Sequence, residues 1–349
     1  MLKYFFAITF SLFSLKFHAQ HFKAGDILFK WLSGNTYEIT MELYSNIPTQ
    51  DKWCYDSLCF GDGSNVLMPR TNGSLGACSP AHDGVSISPT IKYSEYKITH
   101  TYPGPGTYAF CHREWNRESG VINIPNSVNQ KAYLNAELKI NTFSGANSNP
   151  TFSNIPVYYA CNNTPLTYNL GASDINNDSL SFKLELSKMA VGVIVPGATL
   201  PIPNFSINNL TGDISWNNPQ MAGTYNFVIK IEEWRNSGGI PKQVGFVERE
   251  TQFIIEACTG IDDRNFDNRI SIVPNPTNDK IEITIKSAIS DNFTLTITDI
   301  TGRIIETYSD KLFNDSGTTL IDMSGLANGV YFIQLQNNSQ LITKKIIKQ

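Results

Sequence analysis

The sequence predicts an all-β protein made of β-sandwiches in tandem. Apolar and polar residues alternate with a period of two along several stretches, a pattern that places one face of a strand in a core and the other in water. No stretch longer than two turns keeps a 3.6-residue apolar period, so helices are expected to be minor. The clearest alternating stretches are 37–43, 132–140, 180–186, 225–231, 281–285 and 293–297.

A weak internal repeat indicates the kind of sandwich. The triplet Gly-x-Tyr opens an apolar strand three times, at Gly106, Gly223 and Gly329. These starts lie 117 and 106 residues apart, close to the length of an immunoglobulin-like sandwich, which is about 100 residues. A tyrosine at this position is expected to lock a corner of a Greek-key sandwich with its hydroxyl. The predicted fold is therefore three immunoglobulin-like β-sandwiches in tandem.

Composition limits the classes of protein that the chain can belong to. It has 349 residues, of which 41% are hydrophobic and 17% charged, and its net charge is −4. This length predicts more than one domain, and 11% aromatic residues exclude a disordered chain. A mildly acidic chain without a basic run offers no electrostatic surface for nucleic acid, so nucleic acid is not an expected partner.

The first residues, 1–19, have the pattern of a signal peptide. Lys3 provides a positive start, residues 4–15 are mostly apolar, and Ala19 is a small residue for cleavage, although Phe17 fits the −3 position poorly. The apolar stretch is too short for a membrane-spanning helix, which needs about 20 residues. A buried N-terminal strand or helix is the less favoured alternative. Export of the chain is expected.

Six cysteines, an even number, favour disulfides in an exported protein. The segment boundaries given below place two of them, Cys161 and Cys258, near the start and end of one segment, where they are predicted to pair. Zinc bound by His82 and three of the other cysteines is the less favoured alternative, because the spacing is irregular. The remaining four, for which three pairings stay open, are Cys54, Cys59, Cys78 and Cys111.

Four motifs stand in the last segment, 270–349. They are Pro274-Asn275-Pro276-Thr277, Ile297-Thr298-Asp299-Ile300-Thr301-Gly302-Arg303, Leu326-Ala327-Asn328-Gly329-Val330-Tyr331-Phe332-Ile333 and Lys344-Lys345-Ile346-Ile347-Lys348. In this order and at the end of the chain they resemble the C-terminal sorting domain of the type IX secretion system of Bacteroidota. The two prolines are expected to stop strand pairing, Gly302 to permit a tight hairpin turn, and the last isoleucines to belong to a closing strand. The sorting residues so assigned are Pro274, Asn275, Pro276, Gly302, Gly329, Tyr331, Lys344 and Lys345.

This resemblance implies where the protein goes. It implies that the type IX machinery carries the chain across the outer membrane and that a sortase removes the domain. The protein is then anchored to surface lipopolysaccharide or released, so it is expected to be secreted or on the outer cell surface. The stretch 259–269, charged and poor in apolar residues, is the expected linker and cleavage zone.

The middle segment, 146–258, contains the motifs at 172–182, 211–216 and 223–227. On these motifs it resembles the cadherin-like or immunoglobulin-like modules of bacterial surface proteins. Trp216 is expected in the core between two sheets.

One loop of this segment is a candidate Ca²⁺ site. Asp174, Asn176 and Asp178 present oxygen ligands at alternate positions, a spacing that suits Ca²⁺. Asx turns, which form for their own backbone hydrogen bonds, explain the same residues without a metal. No other cofactor is expected.

The first segment, 20–145, contains Phe60-Gly61-Asp62-Gly63-Ser64 and His100-Thr101-Tyr102-Pro103-Gly104-Pro105-Gly106-Thr107-Tyr108. It resembles a polycystic-kidney-disease-type (PKD-like) sandwich, with Leu58 where that family usually has Trp and with an additional hairpin at about 22–44. The Gly-Asp-Gly is interpreted as a tight turn that needs positive φ, because the strand–loop–helix setting of a nucleotide loop is missing. His100 is expected to have a structural role.

Catalytic motifs of the common hydrolases and nucleotide-binding enzymes do not occur, and no catalytic residue is assigned. Glu248 and Glu250 share a strand face and are expected on a solvated surface, whereas the adjacent Glu232 and Glu233 point to opposite faces.

Two similar tetrapeptides suggest a ligand-contact surface. If Trp115 and Trp234 are exposed beside Arg117 and Arg235, the rings can stack on sugars or act as partner hot spots. The favoured alternative places both tryptophans in the core or at sheet edges, with the arginine capping the ring.

Taken with the export signals, these observations predict a non-catalytic protein that acts in adhesion, surface organisation or gliding-associated contact. Its protein or glycan ligand is not identified by the sequence. The alternative is a carbohydrate-binding accessory protein for polysaccharide capture, and a secreted hydrolase is less favoured.

Overall fold

The computed structural model describes residues 22–47, 54–73, 84–113, 116–142, 144–258, 270–285, 293–309, 317–336 and 341–349. Strands dominate these residues, and the all-β prediction is confirmed. The predicted signal peptide (1–19), the predicted linker (259–269), Cys78, His82 and Trp115 lie outside the described residues.

The strands alternate with short turns along the whole described chain. The first segment contains β1 (Phe22–Ser33), β2 (Thr36–Asn46), β3 (Tyr55–Cys59), β4 (Asn65–Pro69), β5 (Val85–Ser86), β6 (Ile91–Thr101), β7 (Gly106–Arg113), the 3₁₀ turn η1 (Ser127–Asn129) and β8 (Tyr133–Ile140). The middle segment contains β9 (Thr151–Phe152), β10 (Val157–Cys161), β11 (Leu166–Tyr168), β12 (Ala172–Ser173), β13 (Ser179–Glu185), β14 (Lys188–Ala190), β15 (Val193–Ile194), β16 (Phe205–Ile207), β17 (Ile214–Trp216), β18 (Gly223–Ser237) and β19 (Ile240–Glu256). The last segment contains β20 (Ile270–Val273), β21 (Lys280–Ile285), β22 (Thr294–Asp299), β23 (Ile304–Tyr308), β24 (Thr318–Asp322), β25 (Gly329–Gln336) and β26 (Leu341–Lys348).

One large sheet joins the first two segments. Twelve described strands belong to it, and its main order is β4-β3-β7-β8-β19-β1-β2-β6-β5, with β10 and β18 on β19 and β13 on β18. Strand β19 pairs with β18 along one edge, and along the other it meets β8, then β1 at Gly25, then β10 in parallel. The predicted boundary between residues 145 and 146 stays a prediction, but the strands on its two sides hydrogen-bond directly to each other.

The length of the β18–β19 hairpin makes this sharing possible. Its tip has Gly238 and Gly239 at positive φ, 64° and 85°, and the Asn236 side chain accepts a hydrogen bond from the Gly239 amide at 2.8 Å. Glycine is the residue that turns at positive φ without steric cost. With 15 and 17 residues, the two strands are long enough to run from the middle segment into the first.

In the first segment, aromatic side chains of β1 and β7, which are not neighbours in the large sheet, pack against each other. Phe29 of β1 stacks on Phe110 of β7 with ring centres 5.7 Å apart. The Gly-Asp-Gly turn joins β3 to β4 as predicted, with Gly61 and Gly63 at φ 81° and 90°. A side chain at Gly61 would lie 2.4 Å from the Ala109 backbone nitrogen, so the close approach of β7 also requires glycine here.

Asp62 of that turn explains why the PKD-like motif contains a histidine. Hydrogen bonds from the Ser64 hydroxyl and amide, and from His100 at 2.7 Å, lower the pKa of Asp62 to about 2. The His100 ring stacks on Phe60 with centres 4.1 Å apart. The structural role expected for His100 is confirmed.

Aromatic side chains fill the middle sandwich. Strands β11, β17 and β16 form a second sheet that faces β18 and β19. Trp216 is fully buried between them, as predicted, with Phe205 and Tyr225 in edge-on contact at 5.5 and 4.8 Å between ring centres.

The last segment has its own core. Its sheets, β20-β21-β24 and β23-β22-β25-β26, enclose a cluster separate from that of the other segments. Gly302 lies at φ 83° in the β22–β23 hairpin, and strand β20 ends at Val273, before the two prolines. The predicted turn, strand end and closing strand β26 are confirmed. The core residues include Ile281, Ile283, Leu295, Ile297, Tyr331, Ile333 and Ile346.

The three Gly-x-Tyr triplets form the same corner in each segment. The hydroxyls of Tyr108, Tyr225 and Tyr331 each donate to the carbonyl four residues earlier, at 2.8 Å in all three cases. The acceptors are Gly104, Met221 and Ala327. The predicted corner-locking role is confirmed three times.

Disulfides hold the described cysteines. Cys161 pairs with Cys258, as predicted, with their Cα atoms 5.5 Å apart. Cys59 pairs with Cys111 across the β3–β7 contact, and Cys54 is also disulfide-bonded. The alternative zinc site is therefore wrong, because two of its thiolates are engaged in disulfides.

We predict that Tyr225→Phe lowers the free energy of unfolding by about 1 kcal/mol, because one partly buried hydrogen bond is lost while the ring stays packed. Urea unfolding measures this change. Tyr55→Phe is the control, since Tyr55 is 61% exposed, and it should leave the stability unchanged. An equal effect of the two variants would contradict the role of the corner.

Candidate functional site

The candidate Ca²⁺ loop is folded by its own side chains. Asp174 accepts hydrogen bonds from the amides of Asn176 and Asp178 at 2.9 and 2.8 Å, which is the geometry of an Asx turn. The Asn176 side-chain oxygen accepts from the Ser148 amide at 2.8 Å. This oxygen thus ties the loop to the start of the middle segment.

A third carboxylate, which the sequence analysis did not assign to this site, joins the loop. Oxygens of Asp174, Asp178 and Glu233 lie within 4.8 Å of one another. Arg235 binds the same cluster, with its Nε 2.7 Å from Asp178 Oδ1 and its other amino groups on the Asp178 and Asn147 side chains and two backbone carbonyls. The alternation of β18 did not reveal this, because only the fold brings Glu233 to the aspartate loop and to its partners Asn147 and Asn149.

Burial controls the ionisation of Glu233. Its side chain is fully buried, and burial raises its pKa to about 8, against the hydrogen bonds from Asn147 and Asn149 and together with the nearby charge of Asp174. At neutral pH Glu233 therefore keeps its proton, beside the Arg235 guanidinium and the carboxyl groups of Asp174 and Asp178.

Arg235 provides a counterion for only part of this acidic cluster. Asp178 already has the Arg235 guanidinium as its counterion, whereas one Asp174 oxygen has no hydrogen-bond partner. Ca²⁺ at this loop stays a prediction. If Ca²⁺ binds this loop, the melting temperature of the wild type should rise when Ca²⁺ is added and fall when EDTA is added. The variant Asp174→Asn should show neither change. A wild-type melting temperature that responds to neither reagent would contradict the Ca²⁺ site.

The candidate ligand-contact residues are mostly occupied inside the protein. Arg117 is fully buried and bound by both oxygens of Glu250, so its guanidinium does not lie on a ligand-contact surface. Trp234 is half-buried, and its ring nitrogen donates to the Ser181 hydroxyl at 3.0 Å. Arg235 is held in the acidic cluster. Trp115 lies outside the described residues.

The expectation that Glu248 and Glu250 of β19 lie on a solvated face is wrong. Glu248 and Glu250 are 3% and 1% exposed, because the segments around Arg117 and Lys188 cover this face of the sheet. The Lys188 ammonium lies 2.6 Å from Glu248, and the Ser187 hydroxyl donates to Glu250 at 2.7 Å. The alternation correctly placed these residues on one face, but the covering segments make that face internal.

The sorting motifs also have clear structural roles. The Asn275 side chain donates to the Lys345 carbonyl at 2.7 Å and accepts from the Ile347 amide at 2.9 Å. It thus pairs with the outer edge of β26 in the way a neighbouring strand would. Lys344 donates to the Asn154 side chain at 3.0 Å, across to the middle segment.

Lys345 lies at the interface between the last segment and the large sheet. Its ammonium is 2.5 Å from Glu42 of β2, and both side chains are 3% exposed. Burial acts to raise the pKa of Glu42, but Lys345 and other partners hold it below the usual value. Beside them Arg249 lies 3.0 Å from Asp26, whose pKa burial raises to about 7.

Two exposed apolar side chains lie on backbone segments that are connected through Ser148. Trp31, at the end of β1, is 41% exposed, and Ile175, in the aspartate loop, is 55% exposed. The Trp31 amide donates to the Ser148 hydroxyl at 3.0 Å, and the Ser148 amide donates to Asn176, next to Ile175. We call Trp31 and Ile175 the end patch. Sequence analysis did not select it, because no local pattern brings these two residues together.

The fold and these sites define a tandem β-sandwich protein with a separate C-terminal unit. The last unit, residues 271–349, matches a family model described as a secretion system C-terminal sorting domain. The resemblance found in the sequence is thus confirmed, and the protein is secreted and belongs to the outer cell surface. The sorting domain also implies contact with the type IX secretion machinery.

Solved structures of multidomain β proteins are distantly similar. The BSP domain of a biofilm-associated protein is 11% identical, covering 96% of this chain and 68% of that chain, with a TM-score of 0.26. Domains 3–5 of Drosophila OTK are 10% identical (95% and 96% covered, TM-score 0.21), and the four N-terminal Ig domains of Dscam1 are 12% identical (96% and 73%, TM-score 0.20).

No curated protein matches the chain. Among the described residues, no helix has the length and apolar character needed to cross a membrane.

The raised pKa of Glu233 predicts a pH-dependent stability. In the unfolded chain this group ionises near 4.5, whereas in the folded protein it keeps its proton up to about pH 8. The folded state therefore binds more protons between these values, and stability falls as the pH rises from 5 to 8, by on the order of a few kcal/mol. Glu233→Gln should flatten this slope in urea unfolding measured across that range.

The control for this titration is Glu232→Gln. Glu232 is the neighbouring carboxylate, and Lys183 and other partners lower its pKa despite burial, so the wild-type slope should remain. An unchanged slope in Glu233→Gln would show that Glu233 is ionised in the folded protein.

Proposed function

We propose that this protein is a non-catalytic secreted or cell-surface protein that acts in adhesion, surface organisation or gliding-associated contact. The end patch carries this proposal. It presents an aromatic and an aliphatic side chain to solvent on a rigid backbone, at the end of a sandwich, where loops of such folds make contacts.

The rigidity of the end patch supports a binding role. Trp31 is fixed at its amide by Ser148 and at its ring nitrogen by the Gly34 carbonyl, at 3.0 Å in both cases. Asn149 exchanges two hydrogen bonds with Phe29, two residues before Trp31 in the same strand. A contact residue that is already ordered loses little conformational entropy on binding.

Internal pairing of the polar residues also favours a binding protein over an enzyme. In the described residues, the carboxylates that the sequence offers for acid–base chemistry are engaged with cations or amides, as Glu250 is with Arg117 and Glu233 with Asn147. A catalytic acid or base needs access to a substrate, and these side chains are fully buried.

Polysaccharide capture is the second candidate. The Trp31 ring is partly exposed and fixed in orientation, and the exposed Asn176 provides a polar side chain in the neighbouring loop. A sugar face can stack on such a ring while its hydroxyls bond to polar neighbours.

Attachment of beads coated with the full-length protein tests the proposal. We expect the double variant Trp31→Ala/Ile175→Ser to reduce attachment to cells and coated surfaces about tenfold, the loss typical of removing a contact hot spot. Both residues are largely exposed, so the melting temperature should stay within about 3 °C of the wild type.

Val191→Ser is the matched control, because Val191 is an exposed aliphatic residue (72%) at the β14–β15 turn. It should attach like the wild type. Loss confined to polysaccharide surfaces assigns the end patch to glycan capture, and loss on protein or cell surfaces assigns it to adhesion. Attachment of the double variant at the wild-type level would refute both.

A further inference from the structure

The sorting domain has an outer face that differs from its core face. Along β25 and β26, Phe332 is the register partner of Lys345, and Gln334 is the partner of Thr343. These four side chains alternate with residues such as Ile333, which faces the domain core. We call Phe332, Gln334, Thr343 and Lys345 the docking face.

A matching surface of the first segment covers the docking face. Phe332 meets Tyr93 edge-on with ring centres 5.2 Å apart. The Ile87 carbonyl accepts hydrogen bonds from the Gln334 amide at 2.9 Å and the Thr343 hydroxyl at 2.7 Å. Tyr93, Tyr44 and Glu42 therefore form an acidic and aromatic surface that fits the docking face.

Charge pairing makes this contact selective. Lys345 is 2% exposed, and a buried ammonium without a counterion is strongly disfavoured. Glu42 supplies that counterion, and the Tyr93 hydroxyl donates to the same carboxylate at 3.2 Å. A surface that covers the docking face must therefore offer a carboxylate opposite Lys345 and an aromatic or apolar contact for Phe332.

The sorting domain has a hydrophobic core of its own, separate from the docking face. Its hydrophobic core and its Tyr331 corner lie entirely within the domain, and residues 259–269 connect it to the rest of the chain. Detachment uncovers the docking face and leaves the core closed.

We propose that the docking face is the surface by which the secretion machinery recognises the sorting domain, and that the recognising surface of the machinery is acidic and aromatic. The contact between the docking face and the first segment then competes with recognition by the machinery, because both contacts use Lys345 and Phe332. The ion pair between Glu42 and Lys345 keeps the docking face covered by the first segment until the machinery takes the place of that segment.

Variants that reverse the charges of Glu42 and Lys345 distinguish docking of the sorting domain on the first segment from its recognition by the machinery. Docking is measured by hydrogen exchange of β6 (Ile91–Thr101), which carries Tyr93, in the purified full-length protein. Recognition is measured by the amount of protein on the surface of the producing cells. Glu42→Lys should speed exchange in β6 about tenfold and leave surface delivery at or above the wild-type level.

Lys345→Glu should lose both docking and delivery. The double variant Glu42→Lys/Lys345→Glu should regain the protection of β6, because the pair is restored with reversed polarity, yet it should still not reach the surface. Recovered docking shows that this variant is folded, so its failure to reach the surface is a failure of recognition.

Lys280→Glu, on an exposed position of the opposite sheet, is the control and should change neither readout. Glu42→Gln replaces Glu42→Lys if the added lysine prevents folding. Normal delivery of Lys345→Glu or of the double variant would overturn the proposal, as would failed delivery of folded Glu42→Gln. These results do not depend on whether the end patch acts in adhesion.

Discussion

The pairing of strand β19 is the constraint on which the rest of the structure depends. One edge of β19 is occupied by β18, and the other meets β8, β1 and β10 in turn. Strands of the first segment and of the middle segment thus form hydrogen bonds to the same strand. The Cys161–Cys258 disulfide links the end of β10 to the residues just after β19, so the parallel pair is also held covalently.

Parts of the large sheet are covered on both faces, and the charged side chains that are buried there lie in ion pairs. Arg117 with Glu250 and Lys345 with Glu42 are ion pairs between different parts of the chain. Breaking a buried pair leaves an uncompensated charge, which costs more than the pair contributes. These buried ion pairs therefore connect parts of the chain that are distant in the sequence.

Sequence analysis recovered what local patterns determine. Alternation predicted the strands, Gly-x-Tyr predicted the three corners, and the terminal motifs predicted the sorting domain. It missed what depends on distant segments: the burial of Glu42 follows from a domain about 300 residues later in the chain, at Lys345. Glu233 was missed for the same reason, because its partners Asn147 and Asn149 lie outside its strand.

Native-state hydrogen exchange tests the central claim, that the first two segments form one cooperative unit around β19. The account predicts that amides of β8, in the first segment, and of β10, in the middle segment, exchange through the same opening, with equal free energies and equal denaturant dependence. If β10 became exchangeable while β8 stayed protected, or the reverse, the segments would unfold independently and the shared strand would not govern the structure.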